Sequence, residues 1–272
     1  MNCTRRNFLA GSSAAALWMA GGCCHLAGNG GLSVNGIKIG VQMWSVADLW
    51  KADPVDAFRK LRALGYVGVQ SIGFYYMNWD ELEKMLDGEG LQIVDMPFFP
   101  KMLKDGDEKF LDFCKRFGVD FVFDPFEQFK TVADWRKFAG TMSDIAERFS
   151  KHGIRVGYHN HQHELRDRVE GELPIDILYG AGFPFELDVG HVKLSGNDPV
   201  EWLGKLQGRV PSIHAKPGGG LSIGGEGDAN DWKAIFAAAR KAGTRWAVVE
   251  CETRRNTYED VDASMAFLKS MA

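Results

Sequence analysis

The most constraining feature of this chain is an unbroken alternation of short apolar runs with longer amphipathic stretches. Residues 37–43, 67–72, 91–96, 119–123, 154–160, 185–189, 210–215 and 245–250 each read as a strand. The stretches between them have helical spacing. Val55, Phe58, Leu61 and Leu64 form a stripe behind Asp53-Pro54, a good helix start. Phe110, Phe113, Cys114 and Phe117 fall at i, i+3, i+4 and i+7, and Trp135, Phe138, Met142, Ile145 and Phe149 mark one face of a long helix. Further helices are expected at 79–86, 175–179 and 199–206, along Trp232, Ile235, Phe236 and Ala239, and along Tyr258, Val261, Met265 and Leu268. Strict alternation implies a parallel sheet, because each strand must return through a crossover. Eight such units of roughly 30 residues predict an α/β protein with a closed (β/α)8 TIM barrel over residues 31–272. A doubly wound open sheet fits less well. Val41-Gln42-Met43-Trp44 stands where such a sheet carries its glycine fingerprint.

The first thirty residues stand apart as a signal peptide and linker. Thr4-Arg5-Arg6-Asn7-Phe8-Leu9 precedes an uncharged run of small and apolar residues from Ala10 to Gly22, which has the form of a twin-arginine export signal. The run is too short to span a bilayer as a stable helix. Ala20-Gly21-Gly22-Cys23 also has the form of a loose lipoprotein cleavage box, with Cys23 as the lipidated residue. The expectation is an exported protein, periplasmic or held to a membrane by a lipid anchor at Cys23. Only Cys114 and Cys251 of the five cysteines fall in the mature part, which is no disulfide framework. The net charge of -4, with no basic block, argues against a nucleic-acid partner.

The polar groups gather at the ends of the later strands, where a parallel barrel builds its active site. The stretch GYHNHQHEL, residues 157–165, holds three of the seven histidines within five positions and a carboxylate beside them. If the strand persists, His159, His161 and His163 share a face. The sixth strand ends in Glu186, Asp188 and His191, the seventh in His214 and Lys216, and the eighth in Glu250 and Glu252. Imidazole and carboxylate are the usual ligands of Zn, Mn, Fe and Co, so this convergence points to a metal or acid/base site. The first four strands end in Gln42, Gln70, Asp95 and Asp124, groups suited to orienting a substrate. Trp44, Phe74, Tyr75, Tyr76, Phe98 and Phe99 lie near the ends of the first three strands, where aromatic rings could stack on a sugar. The glycine-rich segment 217–227 lacks phosphate-loop spacing and reads as a flexible rim loop.

Together, Gln42 in GVQMWSV, GYHNHQHE, FELDVGHVKLSGNDPVEWL, IHAK, GEG followed by DWKAIF, and VVECE resemble the sugar isomerase and epimerase family with the xylose-isomerase-like barrel. The resemblance covers roughly residues 37–268. It implies one divalent metal ion (Mn, Co, Fe or Zn) held by one ligand from each of the last four strands: Asp188, His214, Glu250 and a strand-five group, Glu164, with His159 or His161 as substitute. It implies a small-molecule sugar or keto-sugar substrate that loses a proton beside its carbonyl, with His159, His161, Lys216 and Glu250 as catalytic candidates and Gln42, Trp44 and His191 as substrate contacts. Pro217 stands where family members often place an aspartate, and Gln70 where they often place a glutamate. Without the symmetrical carboxylate pair, epimerisation or β-elimination at a keto sugar is expected over simple isomerisation. A non-catalytic sugar-binding barrel is the alternative. A phosphodiesterase related to endonuclease IV would need more histidines in the first half, and none lies between His25 and His152.

Overall fold

The computed structural model describes residues 31–104, 106–252 and 257–272. The export signal and the Cys23 lipidation expected from the sequence lie outside them. The strands are β1 (Ser33–Val34), β2 (Ile37–Gln42), β3 (Gly68–Gln70), β4 (Gln92–Ile93), β5 (Met96–Pro97), β6 (Phe121–Asp124), β7 (Arg155–His159), β8 (Phe185–Asp188), β9 (Ser212–Ala215) and β10 (Trp246–Val249). They pair in the order β4-β3-β2-β10-β9-β8-β7-β6-β5, every pair on this path parallel. This is the expected barrel.

Its third strand is broken in two. β4 pairs with β3 and β5 with β6, so the break falls where the sheet comes round on itself. At the break Val94 packs against Trp246 and Val248, while Asp95 hydrogen-bonds to Gln70 and Ser212. Two successive residues therefore face the barrel interior. A regular pleat does not allow that, and an interruption does.

The helices follow the sequence closely. Asp53 caps Pro54–Leu64 by accepting from the Val55 and Asp56 amides, and Gly65 ends the helix at φ 108°. Trp135, Phe138, Met142, Ile145 and Phe149 are the buried face of Val132–Ser150. Cys114 is a buried free thiol among Phe110, Phe113 and Phe117, as its spacing predicts.

Two differences matter. Residues 33–34, ahead of the first expected strand, form a hairpin with β2, because Asn35 (φ 52°) and Gly36 (φ 76°) supply the left-handed two-residue turn that short hairpins favour. The second difference concerns the strand-five histidines. β7 stops at His159, and the chain turns at once into a short helix, Gln162–Arg166, so His159, His161 and His163 do not share a strand face.

Candidate active site

Strand register decides which side chains meet at the C-terminal mouth. His159 on β7 lies opposite Glu186 on β8, Asp188 on β8 opposite His214 on β9, and Glu186 opposite Ser212. Glu250 follows β10 directly and donates its amide to the Ala215 carbonyl at 3.2 Å. All of these side chains are buried.

The hydrogen bonds fix which imidazole nitrogens carry protons. The side-chain nitrogen of Gln70 donates to Asp95 Oδ1 and to Glu186 Oε1 (2.6 Å), so its oxygen is the end facing His214 Nε2, at 2.9 Å. An amide oxygen only accepts, so His214 Nε2 carries a hydrogen, and Nδ1 is the nitrogen that offers a lone pair when the ring is neutral. In the same way His159 Nδ1 donates to Glu186 Oε2 at 3.1 Å, which leaves Nε2 free. Both lone pairs turn toward Asp188 Oδ2, 3.8 Å from His214 Nδ1 and 4.0 Å from His159 Nε2, and Glu250 Oε2 stands 3.3 Å from His214 Nδ1. Asp188 uses its other oxygen to cap the helix Val189–Leu194, accepting from the His191 amide at 2.7 Å.

Asp188 Oδ2 and His214 Nδ1 are buried polar atoms with no hydrogen-bond partner among the described residues. Such atoms are costly unless something satisfies them. Among the described residues two three-residue groups could hold an ion, His159–Glu186–His214 and Asp188–His214–Glu250. The first is already joined by hydrogen bonds, whereas the second contains both orphaned atoms. A metal ion therefore fits among Asp188, His214 and Glu250, with His159 Nε2 as fourth donor. Two carboxylates and two imidazoles suit Mn, Fe, Co or Zn. The field agrees. Burial opposes a charge on His214, but the Glu186 and Glu250 carboxylates outweigh it and hold its pKa well above the ordinary value. Burial also opposes charge on Asp188 and Glu250; His191 and His214 nevertheless hold Asp188 well below the carboxylate range, and His214 and Lys216 bring Glu250 down to about 2. The site favours a cation at its centre.

The other expected residues sort themselves by geometry. Glu164 does not join the metal group: its oxygens accept from the Tyr158 hydroxyl at 2.6 Å and the His161 amide at 2.8 Å. His163 turns away to the Glu127 carbonyl, 2.9 Å distant. His161 packs against the His159 and His191 rings, with centroids 4.9 and 4.6 Å away, and burial pushes its pKa down to about 2. Lys216 Nζ lies 2.6 Å from Glu252, 3.4 Å from Glu250 and 3.2 Å from His191 Nε2. Burial works against its charge, but Asp188, Glu250 and Glu252 raise its pKa, so it stays an ammonium.

A cavity of about 450 Å³ opens above the cluster, walled by Gln42, Trp44, Gln70, Phe99, Phe123, His159, His161, His214, Glu250 and Glu252. That is room for a small sugar. Lys216 and the expected substrate contact His191 stand behind this wall rather than in it. Of the six aromatic residues near the first three strand ends, Trp44 and Phe99 line the cavity, while Phe74, Tyr75 and Phe98 are core. The segment 217–227 is fastened rather than loose. Asp228 accepts from the Gly218 and Gly224 amides, both at 2.8 Å, and from the Trp232 indole at 2.6 Å. Sequence reasoning placed Glu186 among the converging strand-end groups but not as the partner of both histidines, and it missed Ser212; their contacts come from register.

Comparison with known proteins bears on the fold and the family. The chain is 24% identical over 276 residues to the rhizopine catabolism protein MocC of Rhizobium meliloti, covering 82% of this chain and 84% of MocC. It is 27% identical over 157 residues to an inosose dehydratase of Lacticaseibacillus casei, covering 48% of this chain and 51% of that enzyme. A crystal structure of a sugar phosphate isomerase/epimerase from Parabacteroides distasonis shares the fold with a TM-score of 0.74 at 22% identity, covering 86% of this chain and 94% of the other. Residues 58–271 match the profile of one family, so a broken-strand barrel with its carboxylates and imidazoles at the C-terminal mouth belongs, in this chain, to the xylose isomerase-like TIM barrel family.

Proposed function

We propose that this chain is a metal-dependent enzyme that removes a proton beside the carbonyl of a sugar or keto sugar, leading to epimerisation or elimination. The observation that carries the reading is the meeting of two orphaned buried donors, Asp188 Oδ2 and His214 Nδ1, with Glu250 Oε2 beside a sugar-sized cavity. Family membership and the dehydratase relative support it. A divalent ion held by His159, Asp188, His214 and Glu250 would polarise the substrate carbonyl and acidify the neighbouring C–H. Glu250 lines the cavity and takes the proton. Lys216 keeps Glu250 ionised, and its ammonium stabilises negative charge growing nearby. Gln42, Trp44 and His161 orient the sugar from the cavity wall. Export by the twin-arginine route rests on Arg5-Arg6 and the apolar run behind them; exchanging both for lysine should leave the precursor unexported.

Incubation with keto sugars in deuterated water tests the chemistry. The reading expects deuterium at the carbon next to the carbonyl. Turnover without incorporated deuterium would favour a hydride shift, and binding without turnover would leave a sugar-binding protein.

A further inference from the structure

β2 and β10 lie side by side in parallel, with Val41 opposite Val249, and just beyond that pair the two chains part. β2 ends at Gln42 and bends into a short helical turn, Met43–Val46, while the chain after β10 runs on through Glu250 and Cys251. In a parallel sheet the amides along one strand point alternately to its two neighbours. The Glu250 amide donates to the Ala215 carbonyl on the β9 side at 3.2 Å, so the Cys251 amide is aimed at the side that β2 has already left. The Ser45 hydroxyl receives it there at 2.9 Å, and both residues are buried. A buried amide without an acceptor is costly, so Ser45 stands in for the missing rung of the ladder.

The same turn reaches the metal group by a second route. Gln42 accepts from the Trp44 amide at 3.2 Å, and its side-chain nitrogen donates to the Gln70 oxygen that also faces His214 Nε2. Trp44 projects from the turn into the main cavity. The turn therefore joins the cavity wall to His214 through Gln42 and to Glu250 through Ser45. Cys251 meets a different hydroxyl with its side chain. Its Sγ lies 3.5 Å from Ser264 Oγ, which accepts from the Ile223 amide at 2.9 Å. That contact bears on the thiol and leaves the Cys251 amide to Ser45.

We propose that Ser45 is a positioning residue for Glu250, fixing through the Cys251 peptide the backbone from which the carboxylate springs. His214 Nδ1 and Lys216 Nζ, 3.3 and 3.4 Å from Glu250 Oε2, hold one oxygen and keep the group charged. They do not fix the chain that carries it. A carboxylate that both ligates an ion and faces one carbon must keep its direction as well as its charge, because rate falls steeply when a reacting group is misplaced. The inference rests on the reading of Glu250 as metal ligand and base.

The test uses the full chain loaded with Co(II), whose visible absorption follows the geometry of its ligands. Ser45→Ala removes the acceptor. It should move the cobalt bands and weaken cobalt binding by about tenfold, the lower end of the cost of losing a contact that orients a metal ligand. Ser45→Thr keeps the hydroxyl and should return both to wild type. Ser264→Ala removes the hydroxyl beside the Cys251 thiol; it should lower the melting temperature and leave the cobalt bands in place, because the Cys251 amide keeps its acceptor. Unmoved bands in Ser45→Ala overturn the inference. So does an equal displacement in Ser45→Thr or in Ser264→Ala, since packing rather than the Ser45 hydroxyl would then hold Glu250. A wild-type chain that binds no cobalt overturns the metal reading itself, and this inference with it.

Discussion

Asp188 Oδ2 and His214 Nδ1 face each other at 3.8 Å, both buried and both without a hydrogen-bond partner. With His214 Nε2 committed to Gln70 and Glu186, a cation between them would satisfy the pair. The purified chain should hold about one divalent transition ion. Asp188→Ala together with His214→Ala should remove it, as read by elemental analysis after dialysis. Undiminished metal content in that double variant would discard the assignment.

Glu186 holds both histidines at once, accepting from His159 Nδ1 at 3.1 Å and lying 3.2 Å from His214 Nε2. Partners of this kind orient metal-ligating imidazoles, and their loss typically costs about 10–100-fold in metal affinity. Glu186→Leu should therefore weaken metal binding by that order, measured by competition with a chelating dye, while far-ultraviolet circular dichroism stays unchanged. Gln70→Leu should act in the same direction through His214 alone, and so more weakly. Wild-type affinity in both variants would mean that the histidines are held by other contacts.

Asp124 predicts a pH effect remote from the metal group. Burial raises its carboxyl to about 8, and Oδ2 has no partner. The unfolded value is about 3.9. Between these values the folded protein keeps a proton that the unfolded chain has released, so stability falls as pH rises from about 4 to 8. Asp124→Asn keeps the neutral form and the acceptor for the Phe126 amide. It should match wild type near pH 4 and exceed it by about 1–3 kcal/mol at pH 8. Thermal melts at both pH values read this as several degrees at the higher pH. Equal pH dependence in the two proteins would show that Asp124 ionises freely.

The barrel was legible because its signals are local. Asp53-Pro54 starts a helix, the phenylalanines from 110 to 117 repeat at helical spacing, and every crossover lies between two apolar runs. The site was legible as a set of strand ends, and the structure brings Asp188, His214 and Glu250 together. What stayed hidden depends on register and on where a strand stops. Nothing in GYHNHQHEL says that β7 ends at His159, so Glu164 and His159 could not be told apart as donors until the turn into the short helix sent Glu164 toward Tyr158. Gln70, read as the loss of a carboxylate, proves to be a crosslink among Asp95, Glu186 and His214, because the broken third strand brings Asp95 inward. The hairpin at residues 33–37 did carry its Asn-Gly signal, but two-residue strands have too little pattern to stand out beside glycines.

Glu250 is the residue on which the proposed chemistry turns. It lines the cavity, and one of its oxygens is tied to His214 and Lys216, so the carboxylate stays ionised and fixed in place. Glu250→Gln keeps the shape and one oxygen donor but removes the negative charge that would receive a proton. Loss of a positioned base typically costs about 10²–10⁴-fold in rate. Solvent deuterium exchange into a bound keto sugar, followed by proton nuclear magnetic resonance, should slow by that order even in samples shown to retain metal. Lys216→Met should slow exchange less, because it removes a charge beside the base and leaves the base itself. If Glu250→Gln exchanged at the wild-type rate with metal in place, the proton would have to go to another group on the cavity wall, and His161 or Glu252 would be the next to change.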